Sequence, residues 1–345
     1  MLEIDRGVSF LPWYAVENSV KEGRLIRLSV EDCYISLYRQ IFSHKEKWRT
    51  REMDEFVRVA DKLVFKLLLP CFLFTKVADM DKDSFYAQDV TVVLFALAAV
   101  LAVSFGTLLI CTPLIRDSAK RGAFVQGVYR SNTAILGVPF AENLFGADGA
   151  RVAAILLAFV VPLYNVIAVI ILSVCDPKKN EGQSVGQKAK AVARDIVKNL
   201  LILSIAIGLV VCFSGAELPK IADKTIAYLA GASTPLALIA IGANFSFSDM
   251  KGRAGLAMTA SVLKTVCVPA CVIFAANLCG FYGAHLGALF IVFGTPAAVS
   301  SYIMAKNMNN DYKLASQIIV FTTLLSALTV SAGSFLLFQS GLVLR

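Results

Sequence analysis

Between Val90 and Leu114 the chain carries no charged residue, and similar apolar runs recur to its end. About 20 consecutive apolar residues fill the hydrocarbon core of a bilayer. In lipid a backbone must satisfy its own polar groups, so such runs are helices or closed barrel strands. Their length makes them helices. The composition agrees: 57% of residues are hydrophobic and 17% charged, against about 45–50% and about 25% in soluble domains. The chain therefore reads as an all-α integral membrane protein embedded in a lipid bilayer. Its net charge of +8 is no sign of nucleic-acid binding, because the basic residues gather in short loops, where they report topology.

One stretch breaks the pattern. GAFVQGVYRSNTAILGVPFAENLFG, Gly122 to Gly146, is apolar enough to enter a membrane yet carries Ser131, Asn132 and Thr133 at its middle. Gly137 and Pro139 follow within two turns. Pro139 has no N–H for the carbonyl four residues back, and its ring crowds that carbonyl. Broken backbone at membrane depth survives only where protein or a water-filled cavity surrounds it. A second such stretch, GTPAAVSSYIMA, runs from Gly294 to Ala305 and contains Pro296. Gly137, Pro139 and Pro296 are the expected helix-breakers. Discontinuous helices in matching positions of two halves point to the binding site of a secondary transporter.

In order, residues 1–55 contain no window of spanning length; 30–42 reads as a short surface helix. Spans are expected at 63–77, 90–114, the broken stretch and 152–175. A basic loop over 176–198 separates them from spans at 200–213, 226–244, 256–279, the second broken stretch within 284–305, and 314–338. That makes about nine transmembrane helices. The positive-inside rule puts the N-terminus in the cytoplasm and the C-terminus outside a cytoplasmic (inner) membrane. The spans divide into two repeats, 56–175 and 199–345. Pro70 and Pro235 differ by 235 − 70 = 165 positions, Pro139 and Pro296 by 157, and Asp148 and Asp311 by 163. The paired segments run in opposite directions, which is an inverted-topology repeat. The counterpart of 200–213 falls near 35–48, ISLYRQIFSHKEKW, which is too polar to span. The first helix of a ten-helix fold is thus expected to be missing, either lost from the chain or left out by a start placed too far downstream.

Four motifs, LLLPCFLF, RSNTAILGVPF, STPLALIAIGANF and FGTPAAVSSYIMA, in this order and spacing, resemble the auxin efflux carrier family, which includes plant auxin exporters and bacterial malate and malonate permeases. The resemblance covers about residue 51 to the C-terminus. It implies two five-helix inverted repeats with crossing broken helices, organic-acid substrates such as malate, malonate or auxin-like acids, and a homodimer. It also implies that Asn132 and Pro139 mark the first crossover and Thr295, Pro296, Ser300 and Ser301 the second.

At a crossover, half-helix N-termini present free N–H groups and positive dipole ends, which suit a carboxylate. Ser131, Asn132, Thr133, Thr295, Ser300 and Ser301 are therefore candidate substrate-binding residues, with Asn165 and Thr322 in the spans that follow. The bland alternative for each is a hydrogen bond between helices. Lys264 either stands as a charge on an anion's path or snorkels to the cytoplasmic face. Arg130 is expected to reach the interface, and Asn244 to cap a helix. With His44 and His285 its only histidines and no H-E-x-x-H or G-x-S-x-G motif, the chain is not expected to be an enzyme or to hold a metal or cofactor. Coupling to H+ or Na+ stays open. The reading is a secondary transporter of small organic anions; a non-transporting scaffold or sensor, or an inactive truncated carrier, is the alternative.

Overall fold

The computed structural model describes residues 22, 51–78, 87–133, 137–177, 198–214, 218–244 and 252–343. The chain divides into Met1–Lys45 and Glu46–Arg345, and the fold below belongs to the second unit. The surface helix expected at 30–42, the counterpart region at 35–48 and most of the basic loop, 178–197, lie outside the described residues.

All regular structure among the described residues is helical, apart from one isolated antiparallel bridge. The helices are α1 (Arg51–Leu63), α2 (Leu69–Ala78), α3 (Ala87–Leu114), α4 (Ser118–Tyr129), α5 (Val138–Val174), α6 (Leu200–Ser214) and α7 (Lys220–Asn244). They continue with α8 (Ala254–Val262), α9 (Val268–Leu278), α10 (Gly283–Gly294), α11 (Ser300–Asn307) and α12 (Tyr312–Gln339). π-helical turns, Val64–Leu68 and Leu263–Cys267, join α1 to α2 and α8 to α9. Each stands just ahead of a proline, Pro70 or Pro269. A proline offers no N–H to its i−4 carbonyl, and here the preceding residue bonds five back instead, Leu69 to Val64 and Val268 to Leu263.

Among the described residues five helices are long and apolar enough to cross a membrane: Asp89–Leu114, Phe140–Val174, Lys220–Asn244, Ala254–Leu278 and Tyr312–Gln339. α6 and α10 are apolar but shorter. This corrects the expectation of about nine spans, and the reasons are local. The second half of the first broken stretch and the span after it run on as one helix, α5, bent where Gly146 adopts φ 70°. The second broken stretch yields two short half-helices, α10 and α11. Several helices leave large apolar side chains outward, among them Leu109, Leu114, Phe213 and Leu328, as lipid-facing surfaces do. By contrast α10 is buried along most of its length.

The helices form two groups. α2 packs chiefly on α6 and α7, while α5 packs on α3 and α10, and α12 on α8, α4 and α11. The contacts are repeat-like: α3 lies on α4 and α5 as α8 and α9 lie on α12 and α10. An ion pair fastens each half with reversed polarity. Asp89 at the start of α3 meets Arg151 of α5 at 2.7 Å, and Arg253 ahead of α8 meets Asp311 ahead of α12 at 2.8 Å. Close backbone approach holds α6 on α2, where a Cβ on Gly208 would lie 3.1 Å from the Phe74 carbonyl oxygen.

The structure also refines the repeat. Asp117 and Tyr282 cap the N-termini of α4 and α10, Arg130 and Thr295 cap their C-termini, and Gly146 bends α5 where Asp311 opens α12. Each pair is separated by 165 positions (282 − 117, 295 − 130, 311 − 146), the spacing of Pro70 and Pro235. Pro296 therefore corresponds to Ser131, not to Pro139, and Asp311 to Gly146, not to Asp148.

Candidate functional site

α4 and α10 both end inside the molecule, at Arg130 (φ −86°, ψ 119°) and Thr295 (φ −63°, ψ 151°), each in extended backbone. The extended pieces cross: Ser131 bridges Ala297, and the Asn132 N–H donates to the Pro296 carbonyl at 2.7 Å. Gly137 and Pro139 sit beyond the break. Gly137 caps α5 and Pro139 is its second residue, where a missing N–H leaves no intrahelical bond unmade. Pro296 lies within the second break.

The last carbonyls of a helix have no partner within it, and those of α10 are met one by one. The Thr295 N–H donates to Ile291, the Thr133 and Thr295 hydroxyls approach the Val292 oxygen at 3.4 and 3.5 Å, and Lys264 Nζ donates to the Phe293 oxygen at 2.9 Å. Across the crossover, the Ala297 N–H donates to Thr322 Oγ1 at 3.1 Å, and that hydroxyl donates back to Ile318 at 2.7 Å. Thr133, Thr295 and Thr322 are thus backbone partners that hold the broken segments. The Ser301 hydroxyl is buried without a hydrogen-bond partner among the described residues.

A small cavity of about 40 Å³ lies between the two helix groups. Arg130, Ser131 and Asn132 line it from the first crossover and Ser300 from the second. Tyr164 and Asn165 of α5 and Ser233 and Thr234 of α7 add polar groups, and Leu69, Phe72 and Leu73 of α2 make an apolar wall. Of the eight substrate-binding candidates, Ser131, Asn132, Asn165 and Ser300 meet here. Thr133, Thr295, Ser301 and Thr322 are outside the lining.

Two cations are buried at this place. Arg130 is 3% exposed and Lys264 0%. Arg130 does not reach the interface as expected: its Nη2 donates to Asn165 Oδ1 at 2.7 Å and its Nη1 reaches Met304 Sδ. Nor does Lys264 snorkel; besides Phe293 its Nζ donates to Ser131 Oγ, which also receives the Tyr164 hydroxyl at 3.4 Å. Among the described residues neither cation has a carboxylate partner. An unpaired buried charge is costly, so the Arg130 guanidinium in the cavity wall suits an anionic ligand there and disfavours a cationic one. Only the position of Arg130 two residues before Asn132 hinted at its role. Ser233 and Thr234 had a clearer signal, a polar pair ahead of Pro235 in a recognised motif. Among the described residues no cluster of three His, Cys, Asp or Glu could hold a metal.

Residues 53–332 match the family described as membrane transport protein. The chain is 21% identical over 290 residues to an uncharacterized transporter of Methanocaldococcus jannaschii, covering 82% of this chain and 91% of that protein. It is 25% identical over 286 residues to a protein of Rhizobium meliloti named "Putative malonate transporter", covering 80% and 85% respectively.

Proposed function

We propose that this chain, which belongs to the membrane transport protein family, is a secondary transporter of small organic anions of the malate and malonate kind, working by alternating access. The observation that carries this reading is the Arg130 guanidinium, buried in the cavity wall with only neutral partners. A planar fork of donors matches a carboxylate bidentately. Asn132 and the start of α11 at Ser300 supply further donors, and Phe72 and Leu73 accommodate the carbon skeleton. The cavity's place between the two helix groups supports a motion of one group against the other around a bound acid. In this reading the N-terminus is cytoplasmic and the C-terminus outside.

The test is equilibrium binding of radiolabelled malate, malonate, lactate and an indole acid to purified protein, with Asn132→Ala beside the wild type. Saturable binding of at least one acid, weakened about tenfold or more by Asn132→Ala, about 1.4 kcal/mol, is the expected result. Well-folded protein that binds none of the four would overturn the reading. The name of the Rhizobium relative makes malonate the first acid to try.

A further inference from the structure

Arg130 and Lys264 do different work. Arg130 faces the cavity, whereas Lys264 is fully buried behind the crossover and lines no part of the cavity. Its ammonium caps the C-terminal end of α10 through the Phe293 carbonyl and binds the Ser131 hydroxyl of the opposing break. The end of a helix carries about half a negative charge. In transporters with discontinuous helices, half-helix C-terminal ends and unwound carbonyls are where a coupling sodium or proton is coordinated. Here that place is filled by a side chain.

We infer that Lys264 is a tethered cation standing where a coupling metal cation would otherwise sit, so that this crossover forms without sodium. The local chain is built to deliver it. Lys264 lies in the π-helical turn Leu263–Cys267, ahead of Pro269. The wider turn displaces the register of side chains from that of a continuous α-helix and sets the lysine against both broken segments. Ligands offered to Nζ, one carbonyl and one hydroxyl, are the hard oxygen donors that an alkali cation takes. Arg130, held by Asn165 and Met304, leaves this position to Lys264. The inference rests on reading the crossover as a transport core, and does not depend on which acid is carried.

The experiment needs no substrate, so its failure is distinguishable from failure of the anion-carrier reading. Thermal unfolding of the purified protein is followed in choline, sodium and lithium chloride at equal ionic strength, for wild type, Lys264→Ala and Lys264→Ser. Wild type is expected to unfold at the same temperature in all three salts. The variants are expected to lose about 5 °C or more in choline and to regain much of it, saturably, with sodium, lithium or methylammonium, which replace the lost charge. Saturable uptake of radioactive sodium by the variants and not by the wild type gives the same answer directly. A wild type stabilised saturably by sodium over choline overturns the proposal, as do folded variants that lose no stability or whose loss no small cation restores. If neither variant can be purified, the wild-type comparison decides alone.

Discussion

Replacing Arg130 with glutamine separates a ligand-binding role from a structural one, because the two predict opposite signs. In the folded protein the guanidinium is 3% exposed, with Asn165 and Met304 as its partners. Losing the bond to Asn165 costs about 1.5–3 kcal/mol, the range for hydrogen bonds to charged groups. Relieving a buried, uncompensated ion returns about several kcal/mol. Lys264, bonded to the adjacent Ser131, is a like charge nearby, and its repulsion is relieved as well. The unfolding midpoint of Arg130→Gln is therefore expected to stay level or rise. Affinity for an organic acid moves the other way. Truncating one partner of a buried, hydrogen-bonded charge pair costs about 2–5 kcal/mol, which at about 1.4 kcal/mol per tenfold is roughly 30-fold to several thousand-fold. Both quantities come from one preparation: scanning fluorimetry without ligand, then binding of the acid that the wild type binds. A folded variant with affinity within about twofold of wild type, about 0.4 kcal/mol, would refute the assignment of Arg130 to the ligand. A midpoint that collapses together with affinity would make it a structural residue instead.

Two further substitutions test the frame around the site. Thr322→Val keeps the side-chain shape but removes the acceptor of the Ala297 N–H; it is expected to lower stability by about 1–3 kcal/mol, with Thr322→Ser close to wild type, as read by the unfolding midpoint. Gly208→Leu places a side chain where a Cβ alone would stand 3.0 Å from Val77 Cβ and 3.1 Å from the Phe74 oxygen. Overpacking of that kind costs about 1–3 kcal/mol. A midpoint unchanged by Gly208→Leu would mean that α6 does not seat on α2 as described.

What the sequence determined by itself was the solvent and the period of the chain. Uncharged runs such as 90–114 force helices in lipid, and Pro296 beside small polar residues marks a break that only surrounding protein can satisfy. The duplication was legible too, since Pro70 and Pro235 are local features whose spacing survives any packing. What the sequence left open was which polar groups share a space. Thr133, Thr295 and Asn132 look alike as letters, yet the first two meet orphan carbonyls of α10 while Asn132 lines the cavity. Arg130 and Lys264 could each have stretched to the interface along their own helices. Their burial is decided by where α4, α10 and the π-turn before Pro269 cross, which joins Lys264 to Ser131 and Arg130 to Met304, residues more than a hundred positions apart. A side chain's reach is set by its own helix, but the partner that holds it inside is supplied by another, so only the tertiary structure could settle where these two charges lie.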